Sequence, residues 1–272
     1  MLLRRSVPDY SVIHRNVVRT AVAFWLLGWF IKFEFYLPYL FGYTANEPVR
    51  IAFFPPFFRN PAVATVFYAL PIVTLGVFFI RRLIYARICG LIMAVSALVL
   101  MLHIDTYNDA TFVTSFWTAL WLIWFTAYAR REDAIFSRHT RTLIQCIVGL
   151  MFLGAVVGKL TPEYWSGQVM ADIFFKEQFS SVAAWVAHLP GMDTQLLASW
   201  VAKLVIVSEL ILVLAPLFPY RWLCGFAIPV MGIMPIFCSV WILSVLGCLI
   251  GLLLAGLRLE RPTKPAVARR RL

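Results

Sequence analysis

Lys159 stands where a long apolar run ends, and its residue type and position suit acid–base chemistry. The run IVGLMFLGAVV precedes it, and the segment GKLTPEYWSG contains it. An amine that is partly removed from water loses part of its preference for the charged form, so that it can accept a proton near neutral pH. The alternative is an interfacial anchor, because Lys and Trp commonly mark the membrane boundary. The first interpretation makes Lys159 a candidate catalytic base.

Four further charged residues lie inside apolar runs: Lys32 and Glu34 in WFIKFEFY, Lys203 in WVAKLVIV and Glu209 in VSELILVL. Charge inside lipid is costly, so each of them needs a partner or a task. Lys203 and Glu209 are separated by about 600° around a helix and do not pair with each other. Glu209 therefore needs a partner on another helix, for which Lys32 and Lys159 are the candidates. A structural ion pair or snorkelling is the alternative to a functional role.

Two further polar residues, His103 and Asp105, precede the fourth apolar run. His103 and Asp105 carry side chains that bind metals, although a site here would need a further ligand. The sequence has no HxxxH or HxxE pattern to supply one. We therefore predict no metal site and keep His103 and Asp105 as candidate binding residues.

Transmembrane helices are the elements that must position these side chains. The chain is 62% hydrophobic and 14% charged, with a mean hydropathy of +0.83. Only helices satisfy every backbone group in lipid without closing a barrel. We predict an all-α fold, a polytopic integral membrane helical bundle with about eight spans. The spans are placed near 17–39, 61–80, 83–103, 111–129, 141–159, 197–216, 220–236 and 239–257. Seven spans with a long re-entrant segment after residue 219 is the alternative, because Met234–Pro235 is the only hairpin available there.

Basic residues are divided very unequally between the segments that join these spans. One side receives only Arg50, Arg59, Lys159 and Lys176, and the other receives most of the arginines. The positive-inside rule then places both termini in the cytoplasm. The predicted domains are a basic N-terminus (1–16), a single transmembrane domain (17–257) with outer loops 40–60, 104–110 and 160–196, and a basic cytoplasmic tail (258–272).

The net charge of +11 follows from this topology. No basic groove interleaved with aromatic residues occurs, so we predict the lipid bilayer and not nucleic acid as the partner. No cleavage site follows the first apolar run, which is too long for a signal peptide. Together with the arginine bias, this favours a bacterial inner (plasma) membrane.

The order FLGAVVGKLTPEYWSGQVM resembles the horizontally transferred transmembrane domain, the membrane part of vitamin K-dependent gamma-carboxylases. It is more distantly similar to DoxX-like quinone-associated membrane proteins, which also carry a Gly-x-Lys-Leu element. Arg19 at the first span, the stretch IDTYNDATFV and Glu209 before LAPLFPYRW extend the resemblance. It covers most of residues 15–257.

The resemblance implies a role for several residues. In the carboxylases the lysine directly before the leucine deprotonates reduced vitamin K, and Lys159 falls at that position. Trp165 and Gly167 match structural positions of the motif, and Asn108 lies where the family has a polar Asn/His pair. The implied cofactor is a quinone or quinol.

Three departures argue against a complete gamma-glutamyl carboxylase. The large lumenal region that handles the protein substrate is not found after the last span. Methionines occupy IPVMGIMPIFCSVW, where related domains often carry a histidine, and Gly158 replaces the second lysine of a Lys-Lys pair.

The sequence leaves two functions open, and with them whether the protein is an enzyme. In the first, an outward-facing pocket bounded by Lys159, Trp165, loop 104–110 and Glu209 binds a quinol-like lipid, and Lys159 accepts its proton. In the second, the bundle is a non-catalytic assembly or maturation factor for a membrane or secreted protein partner. A transporter is disfavoured because no inverted repeat is visible.

Overall fold

The described part of the chain is a helical bundle. The computed structural model describes residues 12–46, 61–103, 110–129, 134–175, 193–237 and 242–259, with residues 185, 189 and 191. No strand occurs among them. The α-helices are α1 (Val12–Asn46), α2 (Pro61–Ala69), α3 (Leu83–His103), α4 (Ala110–Tyr128), α5 (Ala134–Val157), α6 (Pro162–Trp165), α7 (Thr194–Val213), α8 (Tyr220–Phe237) and α9 (Leu243–Leu259).

Five of these helices are long and apolar enough to cross a membrane: part of α1, α3, α4, α5 and α7. The prediction of an all-α, multi-pass membrane protein is therefore confirmed. Three shorter apolar helical segments, 62–78, 220–236 and 243–259, lie on the three remaining predicted spans. The count of eight spans and the cytoplasmic placement of both termini remain predictions.

The second predicted span is not one continuous α-helix. The α-helix ends at Ala69 and continues as a 3₁₀-helix over Leu70–Phe78, in which Pro71 is one of the first residues. Proline lacks the N–H that would continue the α-helical ladder, which explains the change at this position. A 3₁₀-helix rises more steeply per residue, so the two pieces still extend roughly 31 Å.

The last two helices are not separated at Met234–Pro235, where the sequence predicted a hairpin. Helix α8 contains both Pro229 and Pro235 and ends at Phe237. Helix α9 begins at Leu243. The segment between them lies partly outside the described residues.

Helices α1 and α9 form the most extensive helix–helix contact of the bundle. Small residues allow it: a Cβ added at Gly28 would lie 2.6 Å from the carbonyl oxygen of Ser244, and one at Gly251 would lie 2.5 Å from the Cβ of Phe24. Gly247 and Gly251 form a GxxxG pattern on α9. Helices associate closely in membranes through such faces.

The apolar core has two parts. The larger joins α1–α5, α8 and α9 with Leu212 of α7, and Trp25, Trp121 and Phe125 are almost completely buried in it. The smaller joins the segment after α5 to α7 and consists of Tyr164, Met170, Phe175, Ala198, Ala202 and Ile206. This second cluster positions the candidate site.

Candidate functional site

Lys159 and Glu209 form an ion pair between the end of α5 and the buried face of α7. The Lys159 Nζ lies 2.6 Å from Glu209 Oε1 and 2.8 Å from Oε2. The prediction that Glu209 finds its partner on another helix is confirmed, and of the two lysines considered Lys159 is that partner.

Local structure at the end of α5 places the lysine. The Gly158 N–H donates to the Gly154 carbonyl, and the Lys159 N–H donates to the Val156 carbonyl at 2.8 Å. The last turn thus tightens before the chain leaves the helix, and the Lys159 amine is directed towards α7. An anchor would direct it towards the headgroups.

Helix α7 presents Glu209 on a narrow buried stripe. The buried residues recur at helical spacing: Ala198, Ala202, Ile206, Glu209 and Leu212. Leu204, Val207 and Leu210 are exposed between them. The two alanines leave room for the segment after α5 to approach α7, and Glu209 is the acidic member of the stripe.

The pair is largely shielded from water. The relative exposure of the Lys159 side chain is 23% and that of Glu209 is 6%. The Lys159 Nζ also lies 5.8 Å from the ring centroid of Tyr164, a buried residue. The Lys159 Nζ thus has two carboxylate oxygens and an aromatic ring as its partners. The same short contacts allow a proton to pass between amine and carboxylate.

The segment 161–167 closes over the site as a short capped turn. The Thr161 hydroxyl accepts a hydrogen bond from the Tyr164 N–H, and Pro162 opens α6. Proline suits the first helical position because its fixed φ is helical and its missing N–H is not needed there. The turn buries Tyr164 and leaves Trp165 42% exposed.

Two side chains on α7 tie this turn down. Gln195 donates from Nε2 to the Ser166 carbonyl at 3.0 Å, and the Ser199 hydroxyl donates to the Trp165 carbonyl at 3.4 Å. Tyr164, Gln195 and Ser199 were not predicted as site residues. Of these, only Tyr164 could have been predicted from its neighbours in the sequence. Tyr164 and Trp165 are consecutive in the capped turn TPEYW, so their side chains lie on different faces of it.

Gly167 is required by both its backbone conformation and its surroundings. Its φ is +82°, a region that other residues adopt with strain. An added Cβ would clash with the Ser199 nitrogen and lie 2.6 Å from the Ala198 carbonyl carbon. Gly167 thus allows the turn to touch the α7 backbone.

The side chains of the three other predicted site residues lie outside the described part of the structure. Asp105 and Asn108 lie outside the described residues, and His103 is the last residue of α3, with a side chain that is likewise not described. The structure therefore brings together Lys159 and Glu209 of the predicted site, and the predicted pocket itself remains a prediction.

Two of the other intramembrane charges are described. Lys32 is buried in α1. The Lys203 Nζ lies 5.4 Å from the ring centroid of Trp200, its neighbour on α7. Glu34 has a side chain outside the described set. Among the described residues, no three His, Cys, Asp or Glu side chains are grouped to hold a metal ion.

Comparisons with known proteins assign no family to the chain. The chain matches no protein-family model, no curated protein and no solved structure.

Proposed function

We propose that this multi-pass membrane protein binds a quinol-like lipid beside Lys159 and that the Lys159–Glu209 pair accepts a proton from its hydroxyl group. One observation supports this most: a buried carboxylate holds the amine of the lysine predicted as the base, at 2.6 Å and 2.8 Å. The resemblance to the carboxylase-like membrane domain points to the same residue. The arginine bias supports a location in a bacterial inner membrane as part of this proposal.

Proton transfer within the pair prepares the base. An ammonium group cannot accept a proton, so Lys159 must first pass one to Glu209. In a site of low dielectric the neutral pair, amine and carboxylic acid, avoids the cost of burying two charges. The quinol O–H then gives its proton to the amine, and the resulting ammonium holds the quinol anion by charge.

Aromatic residues beside the pair suit the ring of such a ligand. Trp165 is 42% exposed on the turn that follows Lys159 in the chain, and the Lys159 Nζ lies 5.8 Å from the ring centroid of Tyr164. An indole face packs against a flat ring in an offset or edge-on geometry, and Trp165 is the exposed aromatic side chain of this turn. The partly exposed side of Lys159 is the direction from which the ligand approaches.

Native mass spectrometry of gently extracted protein tests the proposal. We expect an isoprenoid quinone on the wild type, its loss from Lys159→Met and its retention on Lys203→Met. Lys203 is the matched control because it is also a lysine next to apolar residues, yet it lies within α7 and against Trp200. Quinone retained on Lys159→Met at the wild-type level would end the proposal.

The second candidate is a non-catalytic assembly or maturation factor, and it is favoured by the exposure of α7. Only 28% of its membrane window is buried within the protein, against 44% to 56% for the other four long helices. Trp200 and Leu204 are 64% and 66% exposed. A protein that co-purifies with both the wild type and Lys159→Met, without quinone on either, would favour this function.

A further inference from the structure

A cleft of about 430 Å³ opens between the start of α1 and the end of α9. Its polar lining residues are Asn16, Arg19 and Thr20 from α1 and Arg258 from α9, and no acidic residue lines it among the described residues. The start of α1 lies beside the start of α5, because the His14 ring of α1 is 6.1 Å from the Phe136 ring of α5. Lys159 follows the other end of α5, so the cleft and Lys159 are at opposite ends of the bundle. The cleft is therefore independent of the proposed function.

Both walls of the cleft change from polar to apolar in the same direction. Along α1 the polar residues are followed by Ala23 and Phe24, and on α9 Leu254 and Leu257 precede Arg258. The two helices run in opposite directions, so their polar ends coincide at the mouth and their apolar parts coincide deeper in the bundle. This gradient matches an amphiphile with a charged head and an apolar tail.

The positive charge at the mouth is held in place. Arg19 donates from Nη2 to the Phe78 carbonyl at 2.8 Å and from Nε to the Val77 carbonyl at 3.5 Å. A guanidinium has five N–H donors, so others remain for an anion. Arg258 is exposed on the opposite wall. A neighbouring crevice lined by Arg15, Arg81 and Arg82 strengthens the positive potential.

We propose that this cleft binds a phosphate ester anion between Arg19 and Arg258, and that the anion is the headgroup of an anionic phospholipid. Arginine pairs with phosphate through several parallel hydrogen bonds. An acyl chain would lie along Phe24, Leu254 and Leu257. Basic pockets between helices at the predicted cytoplasmic side are suited to such headgroups.

Lipid titration of the detergent-purified full chain tests the site. Binding of phosphatidylglycerol, phosphatidylcholine and inorganic phosphate is measured by native mass spectrometry and by the shift in Tm. We expect the wild type to prefer phosphatidylglycerol, and Arg258→Gln to weaken its binding by about fivefold to tenfold. Arg138→Gln is the matched control, because Arg138 is an exposed arginine of α5 at the same end.

Each outcome is decisive. Weaker phosphatidylglycerol binding by Arg258→Gln but not by Arg138→Gln supports the lipid site. Inorganic phosphate that binds alone and displaces the lipid supports the anion clamp but assigns it to a soluble phosphate, which overturns the lipid. Equal binding of both lipids, or equal loss in both variants, overturns the proposal because only general surface charge would then act. Quinone binding at Lys159 is unaffected by any of these results.

Discussion

Lys159 and Glu209 neutralise each other in a position that water reaches poorly, so each depends on the other. Removal of one partner leaves the second buried without its counter-charge. We expect Lys159→Met and Glu209→Gln each to lower the free energy of unfolding by about 3 kcal/mol, the low end for buried pairs, because Lys159 is partly exposed. The double variant should lose far less than the two single losses combined. Thermal unfolding in detergent measures this, and additive losses would contradict the pairing.

Gly167 offers a second residue-scale test. Gly167→Ala combines an unfavourable φ with a clash against the α7 backbone, so we expect a loss of about 3 kcal/mol in unfolding free energy. Gly191→Ala is the control, because Gly191 has a φ of +81° but open space around its Cα. It should cost about 1 kcal/mol. Equal Tm losses in the two variants would show that the turn does not press on α7.

The sequence predicted Lys159 and Glu209 separately, because a charge in an apolar run is conspicuous. It did not choose between Lys32 and Lys159 as the partner, since that depends on how far α5 and α7 are offset along their axes. Gln145 fixes this offset by donating from Nε2 to the carbonyls of Ala215 and Phe218, at 3.0 Å and 2.7 Å. A contact of this range has no local signature in the sequence.

Among the elements, the best predicted helices were those whose apolar run coincides with the helix. Helix α3 was predicted at its observed bounds, 83–103, whereas α5 begins at Ala134, before the predicted start at residue 141. Hydropathy locates the part of a helix that suits lipid, and the polar first turns of α5 continue the helix beyond it. Hydropathy does not distinguish an α-helix from a 3₁₀-helix, so it could not predict the change of helix type before Pro71.

Contact between α1 and α9 gives a prediction for the elements. Gly28→Ala would push a methyl group to 2.6 Å from the Ser244 carbonyl, so the helices must separate. We expect a loss of about 2 kcal/mol in unfolding free energy, measured by thermal unfolding. Gly232→Ala on α8 is the control, because nothing lies within 4 Å of its added Cβ. A Gly28→Ala variant as stable as the control would refute close packing there.

For the whole molecule, the distribution of arginines and the apolar helical segments together predict the topology. Eight is an even number of spans, which puts both termini on the same side of the membrane. The positive-inside rule makes that side the cytoplasm. A phosphatase fused after residue 259 should therefore be inactive, and a fluorescent protein fused there should be bright. The reverse pattern would support seven spans.

In the proposed function, Lys159 accepts a proton from an aromatic hydroxyl group. An isoprenoid nitrophenol tests it directly, because its deprotonated form is coloured and it cannot be oxidised like a quinol. The probe is added to purified protein at a pH below that at which the free phenol ionises. We predict the phenolate absorption band with the wild type and with Lys203→Met, and its absence with Lys159→Met. A probe that binds the wild type but stays protonated, or that ionises equally on Lys159→Met, would contradict the claim.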